Sequence, residues 1–202
     1  MLIIGLTGPT GAGKGALASR MAPFRVRAID TDKVYHDLLI PPSDCLDALV
    51  RRFGRHILRT DGTLDRARLA AIVFADGHGE DLADLNRITH RHVLAQVRAI
   101  CRAMESIDCP AVLVDAPLLF ESGFDAECDH TVAVLADPDV RLSRITARDG
   151  LTHDAAEARL KAQKSDDFYI QRADVTVYNN GAPTDLDEAV QAMLTDWGVI
   201  TP

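Results

Sequence analysis

The run Gly8-Pro9-Thr10-Gly11-Ala12-Gly13-Lys14-Gly15 lies between the apolar stretch Leu2-Ile3-Ile4-Gly5-Leu6 and a helix-compatible segment carrying Ala16, Leu17 and Met21. Its spacing, G-x-x-x-x-G-K, is that of a phosphate-binding loop. Glycines let successive backbone N–H groups converge on phosphate oxygens, the following helix offers its positive N-terminal end, and the lysine reaches the β- and γ-phosphates. The loop therefore predicts a bound nucleotide, held by Gly8, Thr10, Gly11, Ala12, Gly13, Lys14, Gly15 and Ala16. The motif expects a hydroxyl after the lysine to ligate magnesium, and here Gly15 and Ala16 supply none. Magnesium would then be held by water, by the phosphates and by a carboxylate elsewhere.

Three further groups of residues suit phosphoryl chemistry. Asp115 ends the apolar run Ala111–Val114, the arrangement that sets a carboxylate beside a nucleotide's metal, although the same residue could cap the next turn. Asp30 and Asp32 follow the short run Val26–Ile29. If strand geometry persists they point to one side, and one of them could accept a proton from an attacking hydroxyl; the alternative is capping of a helix from Lys33 onward. Arg141, Arg144 and Arg148 recur at three and four residues and share a helix face, suited to phosphate oxygens or simply to solvent. His90 and His92 are two apart, diverge on a helix and have no third ligand near, so no metal pair is expected there.

The elements that position these residues alternate between strand and helix. Leu2–Leu6, Val26–Ile29, Ala111–Val114, Thr131–Leu135 and Val175–Tyr178 are short apolar or β-branched runs, predicting about five strands of one largely parallel sheet. Acids placed just beyond the carboxyl ends of such strands sit where open α/β sheets bind ligands. From Val34 to about Met104 the pattern is helical, clearest in Leu82, Leu85, Ile88, Val93, Val97, Ile100 and Met104, with loops expected at Pro41-Pro42, Arg59–Gly62 and Asp76–Gly79. Asp137, Pro138 and Gly150 punctuate the arginine-bearing helix, and Thr152 to about Tyr169 is polar and helical in tendency. Asn179-Asn180-Gly181 is a turn, and Thr184-Asp185-Leu186-Asp187 fits a capping-box-like start to a last helix.

Composition sets the outer bounds. With 202 residues, 47% of them hydrophobic, the chain is long enough to bury a core in one domain. A formal charge of −8 argues against a general nucleic-acid binder, which needs a basic face. Cys45, Cys101, Cys109 and Cys128 show neither zinc-type nor disulfide-framework spacing, so a reducing, cytoplasmic setting is expected. No charged leader and no run near the ~20 apolar residues of a spanning helix is visible, so a soluble, unprocessed chain without membrane partners is expected.

Taken together, these residues resemble the dephospho-CoA kinase family over nearly the whole chain. The resemblance rests on Gly5–Gly8 entering the loop, Ile29-Asp30-Thr31-Asp32, His90, Arg148–Thr152, Arg159-Leu160-Lys161-Ala162-Gln163, and Ala173-Asp174 ahead of Asn179-Asn180-Gly181. Its most discriminating part is Asp115-Ala116-Pro117-Leu118-Leu119-Phe120-Glu121-Ser122-Gly123. It implies a single α/β domain of P-loop kinase fold, with a core at 1–33, 110–147 and 171–202, a helical acceptor-binding insertion at 34–109 and a small helical lid at 148–170. It also implies ATP with Mg2+ as cofactors and dephospho-CoA as acceptor, phosphorylated in line on its ribose 3′-hydroxyl. In that scheme Asp32 is the general base, and Lys14 and Arg148 are catalytic. Arg144 joins the loop in holding ATP, and Asp115 serves the metal. His90, Pro117, Leu118, Leu119 and Glu121 line the acceptor site with Asp32.

The chain departs from the family pattern in places. Gly15 and Ala16 replace the usual Ser or Thr, as Gly does in adenylate kinases; Asp166-Asp167 follow Gln163 where basic residues are common; Tyr178 precedes Asn179 in place of Asp; and Arg91 follows His90 in place of Pro. Gly15 keeps two alternatives open, another small-molecule P-loop kinase acting on a nucleotide or nucleoside, and a non-catalytic nucleotide-binding homologue. A monomer or small homo-oligomer is expected.

Overall fold

The computed structural model describes residues 1–75, 79–181 and 183–201. Its five strands are β1 (Leu2–Thr7), β2 (Arg27–Asp30), β3 (Ala111–Asp115), β4 (His130–Leu135) and β5 (Val175–Tyr178), in the order β2-β3-β1-β4-β5. The β1–β3, β1–β4 and β4–β5 pairs are parallel. Residues 111–114 of β3 and 131–135 of β4 are buried without interruption, as expected of strands covered on both faces. From β1 the chain runs out toward β2, whereas from β4 it runs out toward β5. The carboxyl ends of β1 and β4 therefore flank the point at which the connections reverse, where α/β sheets take their ligands.

The helices are α1 (Lys14–Met21), α2 (Thr31–Asp37), α3 (Asp44–Phe53), α4 (Arg66–Val73), α5 (Gly79–Glu105), α6 (Pro138–Asp149), α7 (His153–Lys161), α8 (Asp166–Ile170) and α9 (Pro183–Asp196). The chain divides into two compact units, Met1–Ile29 with Ala103–Pro202, and Asp30–Arg102. In the first, Leu17 and Met21 of α1 and Leu186, Val190, Met193 and Leu194 of α9 cover one face of the sheet against Ile4, Leu6, Leu113, Val132 and Val134. Ala133 and Leu135 of β4 meet Tyr169, Phe168 and Phe120 in a separate cluster. In the second unit α3 and α4 bury Leu46, Leu49, Phe53, Leu69 and Val73, with Leu82, Leu85 and Ile88 of α5 packed against them. Arg52 of α3 bridges Asp81 and Asp84 of α5.

Several boundaries differ from the sequence reading for local reasons. Helix α2 begins at Thr31 directly after β2, because the Asp30 carboxylate accepts the Lys33 N–H at 3.0 Å and caps it. Asp30 and Asp32 therefore do not share a strand face, and the capping alternative holds. Residues 152–169 form two short helices: the Thr152 hydroxyl caps α7, and α8 starts only after a break at 162–165. Helix α9 starts at Pro183, one residue before the expected Thr184. Asp137 stands at the N-cap of α6 without a side-chain cap bond, and Gly150 closes that helix in the left-handed region at φ 63°. The Arg59–Gly62 turn is present, closed by Gly62 N–H on the Arg59 carbonyl and flanked by a Leu58–Leu64 antiparallel bridge. Asp76–His78 of the expected Asp76–Gly79 loop lie outside the described residues. No helix among the described residues is long and apolar enough to cross a membrane.

Candidate active site

The phosphate loop leaves β1 at Thr7 and enters α1 at Lys14. Three glycines are required by its path, among them Gly11 at φ +79°, where a Cβ would lie 2.8 Å from the Arg141 carbonyl oxygen. Gly8 has φ +134°, and a Cβ there would lie 2.2 Å from the Val134 carbonyl oxygen; Gly13 has φ +102°, and a Cβ there would lie 2.0 Å from Asn179 Nδ2. Gly15 differs, because a Cβ at that position would meet nothing within 4 Å.

The carbonyl oxygens of the loop are taken up one by one. Lys14 Nζ donates to Gly8 O at 2.9 Å, and Ala12 N–H to Pro9 O at 3.3 Å. Arg141 Nε donates to Thr10 O at 3.3 Å, and Arg144 to Gly11 O and Ala12 O at 3.3 and 3.2 Å. Asn179 Nδ2 donates to Ala12 O at 2.8 Å, and the Ala16 and Leu17 amides to Gly13 O at 3.0 and 3.2 Å. The Gly11, Gly13 and Gly15 amides, by contrast, find no acceptor among the described residues. With the carbonyls tied back and donors left over at the positive end of α1, the loop has the geometry of an anion cradle.

Side chains far away in sequence hold this geometry. Arg141 is 6% exposed, wedged between Thr10 O and Asp166 Oδ1 at 3.2 Å. Arg144 also reaches Asn179 Oδ1 at 3.4 Å, and Asn179 is itself fixed by its N–H on Leu135 O at 2.8 Å. The neighbouring Asn180 Oδ1 accepts the Asp137 N–H at 2.7 Å, tying the β5 exit to the start of α6. Gln163 Oε1 accepts the Thr10 N–H at 3.1 Å, so the amide of Thr10, expected to face nucleotide, is already engaged.

The three arginines of α6 thus share a helix without sharing a task. Arg141 and Arg144 face loop carbonyls, whereas Arg148 is exposed in the last turn and closes its fork on Asp149 at 2.7 and 2.9 Å. That hydrogen-bonded guanidinium, aided by Arg159 at 2.6 Å, holds the Asp149 carboxyl below the usual carboxylate range.

Asp115 ends β3, opposite Leu6 of β1 in the strand register, and the Ala116 N–H bonds Leu6 O at 2.9 Å. This places its carboxylate one strand over from the loop entrance. After it, Pro117 is partly exposed, Leu118 is 48% exposed and Glu121 is exposed. Leu119 departs from the expected acceptor lining: it is 0% exposed and packs over Gly5 of β1, so its part here is in the core. Burial pushes the nearby Tyr169 hydroxyl up, with the Glu121 charge adding to the rise and Arg141 opposing it.

Asp32 and His90 belong to the Asp30–Arg102 unit. Asp32 is exposed in the first turn of α2, and His90 is half-buried within α5. The contributions of Asn179 and Gln163 to the loop were not apparent from the sequence. The sequence pattern marks Asn179 as a turn residue and Gln163 as the end of the Arg159–Gln163 motif, and neither points to the loop. An amide-bearing residue at the carboxyl end of a predicted core strand is the signal that could have singled out Asn179.

A parallel sheet with a braced phosphate loop at the end of β1 and a carboxylate at the end of the adjacent β3 defines a P-loop phosphotransferase. The family model for dephospho-CoA kinase matches residues 2–185. The chain belongs to the dephospho-CoA kinase family. The dephospho-CoA kinase of Symbiobacterium thermophilum is 38% identical over 182 residues, 90% of this chain and 75% of the relative. That of Corynebacterium glutamicum is 36% identical over 196 residues, 97% of each chain. Among solved structures, a Thermus thermophilus protein superposes with TM-score 0.78 at 29% identity, covering 96% of this chain and 97% of its own. A shikimate kinase from Acinetobacter baumannii shares the fold, with TM-score 0.55 at 18% identity over 98% of this chain and 93% of its own.

Proposed function

We propose that the protein transfers the γ-phosphoryl group of ATP to the ribose 3′-hydroxyl of dephospho-CoA, giving coenzyme A and ADP by direct in-line displacement. The observation that carries a phosphoryl-transfer role is the loop whose carbonyls are all turned onto protein donors, leaving the Gly11, Gly13 and Gly15 amides for phosphate. Family membership supports the acceptor. Transfer between two oxygens needs little covalent help, so positioning and charge stabilisation are the protein's work.

In this reading Lys14 and the loop amides hold the phosphates, Asp32 takes the proton of the attacking hydroxyl, and Arg148 meets the transferring group after leaving Asp149. The acceptor is held by the helical insertion, through His90, together with Pro117, Leu118 and Glu121 of the core; residues 148–170 act as the lid. Magnesium fits the residues present in one respect. Asp115 offers a hard oxygen ligand at the right strand end, and magnesium is commonly held by one or two carboxylates with phosphates and waters. The described residues contain no cluster of three potential ligands, and Gly15 adds no oxygen. When bound, the ion would neutralise charge on the β- and γ-phosphates.

The test is phosphorylation by ATP and magnesium with dephospho-CoA, AMP, CMP and nucleosides as rival acceptors. Coenzyme A should be the main product, with the phosphate on the 3′-oxygen by NMR. Preferential phosphorylation of another acceptor would overturn the reading.

A further inference from the structure

Thr10 is held on both of its peptide groups, directly by Gln163 on one side and on the other by Arg141 of α6, which Asp166 anchors. Its N–H is accepted by Gln163 Oε1 at 3.1 Å, and its carbonyl takes Arg141 Nε at 3.3 Å. Arg141 is in turn fixed by Asp166 Oδ1 at 3.2 Å. Gln163 and Asp166 stand only three residues apart, at the break between α7 and α8. That break has a firm base. Tyr169 of α8 is 4% exposed and packs with Phe120 and Phe168 against Ala133 and Leu135 of β4, and the Phe120 and Phe168 rings meet edge-on at 6.0 Å.

We propose that Gln163 and Asp166 are positioning residues for nucleotide binding, forming a clamp that sets the two peptide planes around Thr10. Asp166 acts through Arg141, and Gln163 acts directly. Neither needs to touch ATP. Fixing the planes on either side of Thr10 fixes the direction from which the Gly11 to Lys14 peptides start, so the free amides converge on phosphate without reorganisation. The clamp also explains a buried arginine that donates to a loop carbonyl. A guanidinium so placed is useful only if its partner acid keeps it there. Asp166 does so.

The inference rests on the ATP-binding part of the proposed function, and its test is independent of the acceptor. ATP affinity would be measured by calorimetry for Gln163→Ala, Asp166→Asn, the double variant and Asp166→Glu, with melting temperatures recorded alongside. Gln163 is exposed, so Gln163→Ala should keep the wild-type melting temperature while weakening ATP binding about 3- to 10-fold, the effect of one hydrogen bond. Asp166→Asn should weaken it by a similar factor, and Asp166→Glu should recover most of the loss. The double variant should be no worse than about the weaker single variant, because both residues act on one peptide pair. Wild-type affinity in Gln163→Ala, or single effects that multiply in the double variant, would overturn the clamp. Normal ATP binding and clamp behaviour without coenzyme A formation would leave the clamp standing and remove only the acceptor assignment.

Discussion

Replacing Asn179 by aspartate should damage nucleotide binding more than truncating it to alanine, although aspartate matches its shape. Asn179 is 8% exposed, and its Nδ2 donates to Ala12 O at 2.8 Å while its Oδ1 receives Arg144 at 3.4 Å. Alanine removes one good buried hydrogen bond and one long one, and Ala12 O keeps its second donor, Arg144, at 3.2 Å. The loss is about 1–1.5 kcal/mol of loop order, or about tenfold in ATP affinity. Aspartate substitutes an acceptor for the Nδ2 donor, so a carboxylate oxygen would face a carbonyl oxygen at hydrogen-bond distance. It also places a negative charge beside Gly13, whose amide faces the anion.

The charge effect can be scaled. A phosphate on the Gly13 amide would lie on the order of 6 Å from that carboxylate, and at an effective dielectric of ~20 the repulsion is about 2–3 kcal/mol per unit of phosphate charge. A stronger pairing with Arg144 offsets part of this and leaves a net weakening of about 10²–10³-fold. Calorimetric titration with ATP on Asn179→Ala and Asn179→Asp tests the ranking, and thermal melts identify any loss of fold. Both variants should melt a few degrees below wild type, at about 2–4 °C per kcal/mol for a chain of this size. An aspartate variant that binds ATP as tightly as the alanine variant would refute the division of the loop into tied acceptors and free donors.

Two further substitutions address the chemistry. Gly15→Ser should fold normally, since a Cβ there meets nothing within 4 Å, and should gain up to about 0.5 kcal/mol from replacing glycine in a helix. If the missing hydroxyl limits metal binding, the magnesium concentration for half-maximal activity should fall about fivefold; an unchanged value would place the metal's hold elsewhere. Asp32→Asn should lower turnover by about 10²–10⁴-fold with little change in ATP affinity, and wild-type turnover in a single-turnover assay would remove Asp32 as the base.

The parts legible in the sequence were those written in contiguous residues. Strands β3 and β4 show as apolar β-branched runs because both faces are covered, and the loop shows because backbone approach to phosphate demands glycines at fixed spacing. Other features depended on a local competition. Asp30 both ends β2 and caps α2, so whether the strand runs on to Asp32 turns on how the Lys33 amide is satisfied, and spacing alone permits either. The braces of the loop lay furthest out of reach. Asn179 and Ala12 are separated by 167 positions, and Arg141 and Thr10 by 131, so nothing in the local pattern joins them. Leu119 shows the converse limit: it belongs to a motif that points to the acceptor, yet the turn after β3 rolls it inward over Gly5.

The arginines on α6 carry the most general consequence. Arginine near a phosphate loop invites assignment to the phosphate, because guanidinium and phosphate are matched in charge and shape. Here Arg141 and Arg144 instead donate to Thr10, Gly11 and Ala12 carbonyls. Each carbonyl so engaged holds its peptide with the N–H turned the other way. Their positive charge still lies behind the loop and adds to the field an anion meets, but their directed bonds act on the backbone. On this geometry, lysine at position 141 or 144 would keep the charge and lose the fixed fork. Selectivity for phosphate would then suffer through disorder of the loop rather than through loss of attraction. Gly15 belongs to a separate question. It removes a side-chain oxygen and leaves every one of these backbone constraints in place.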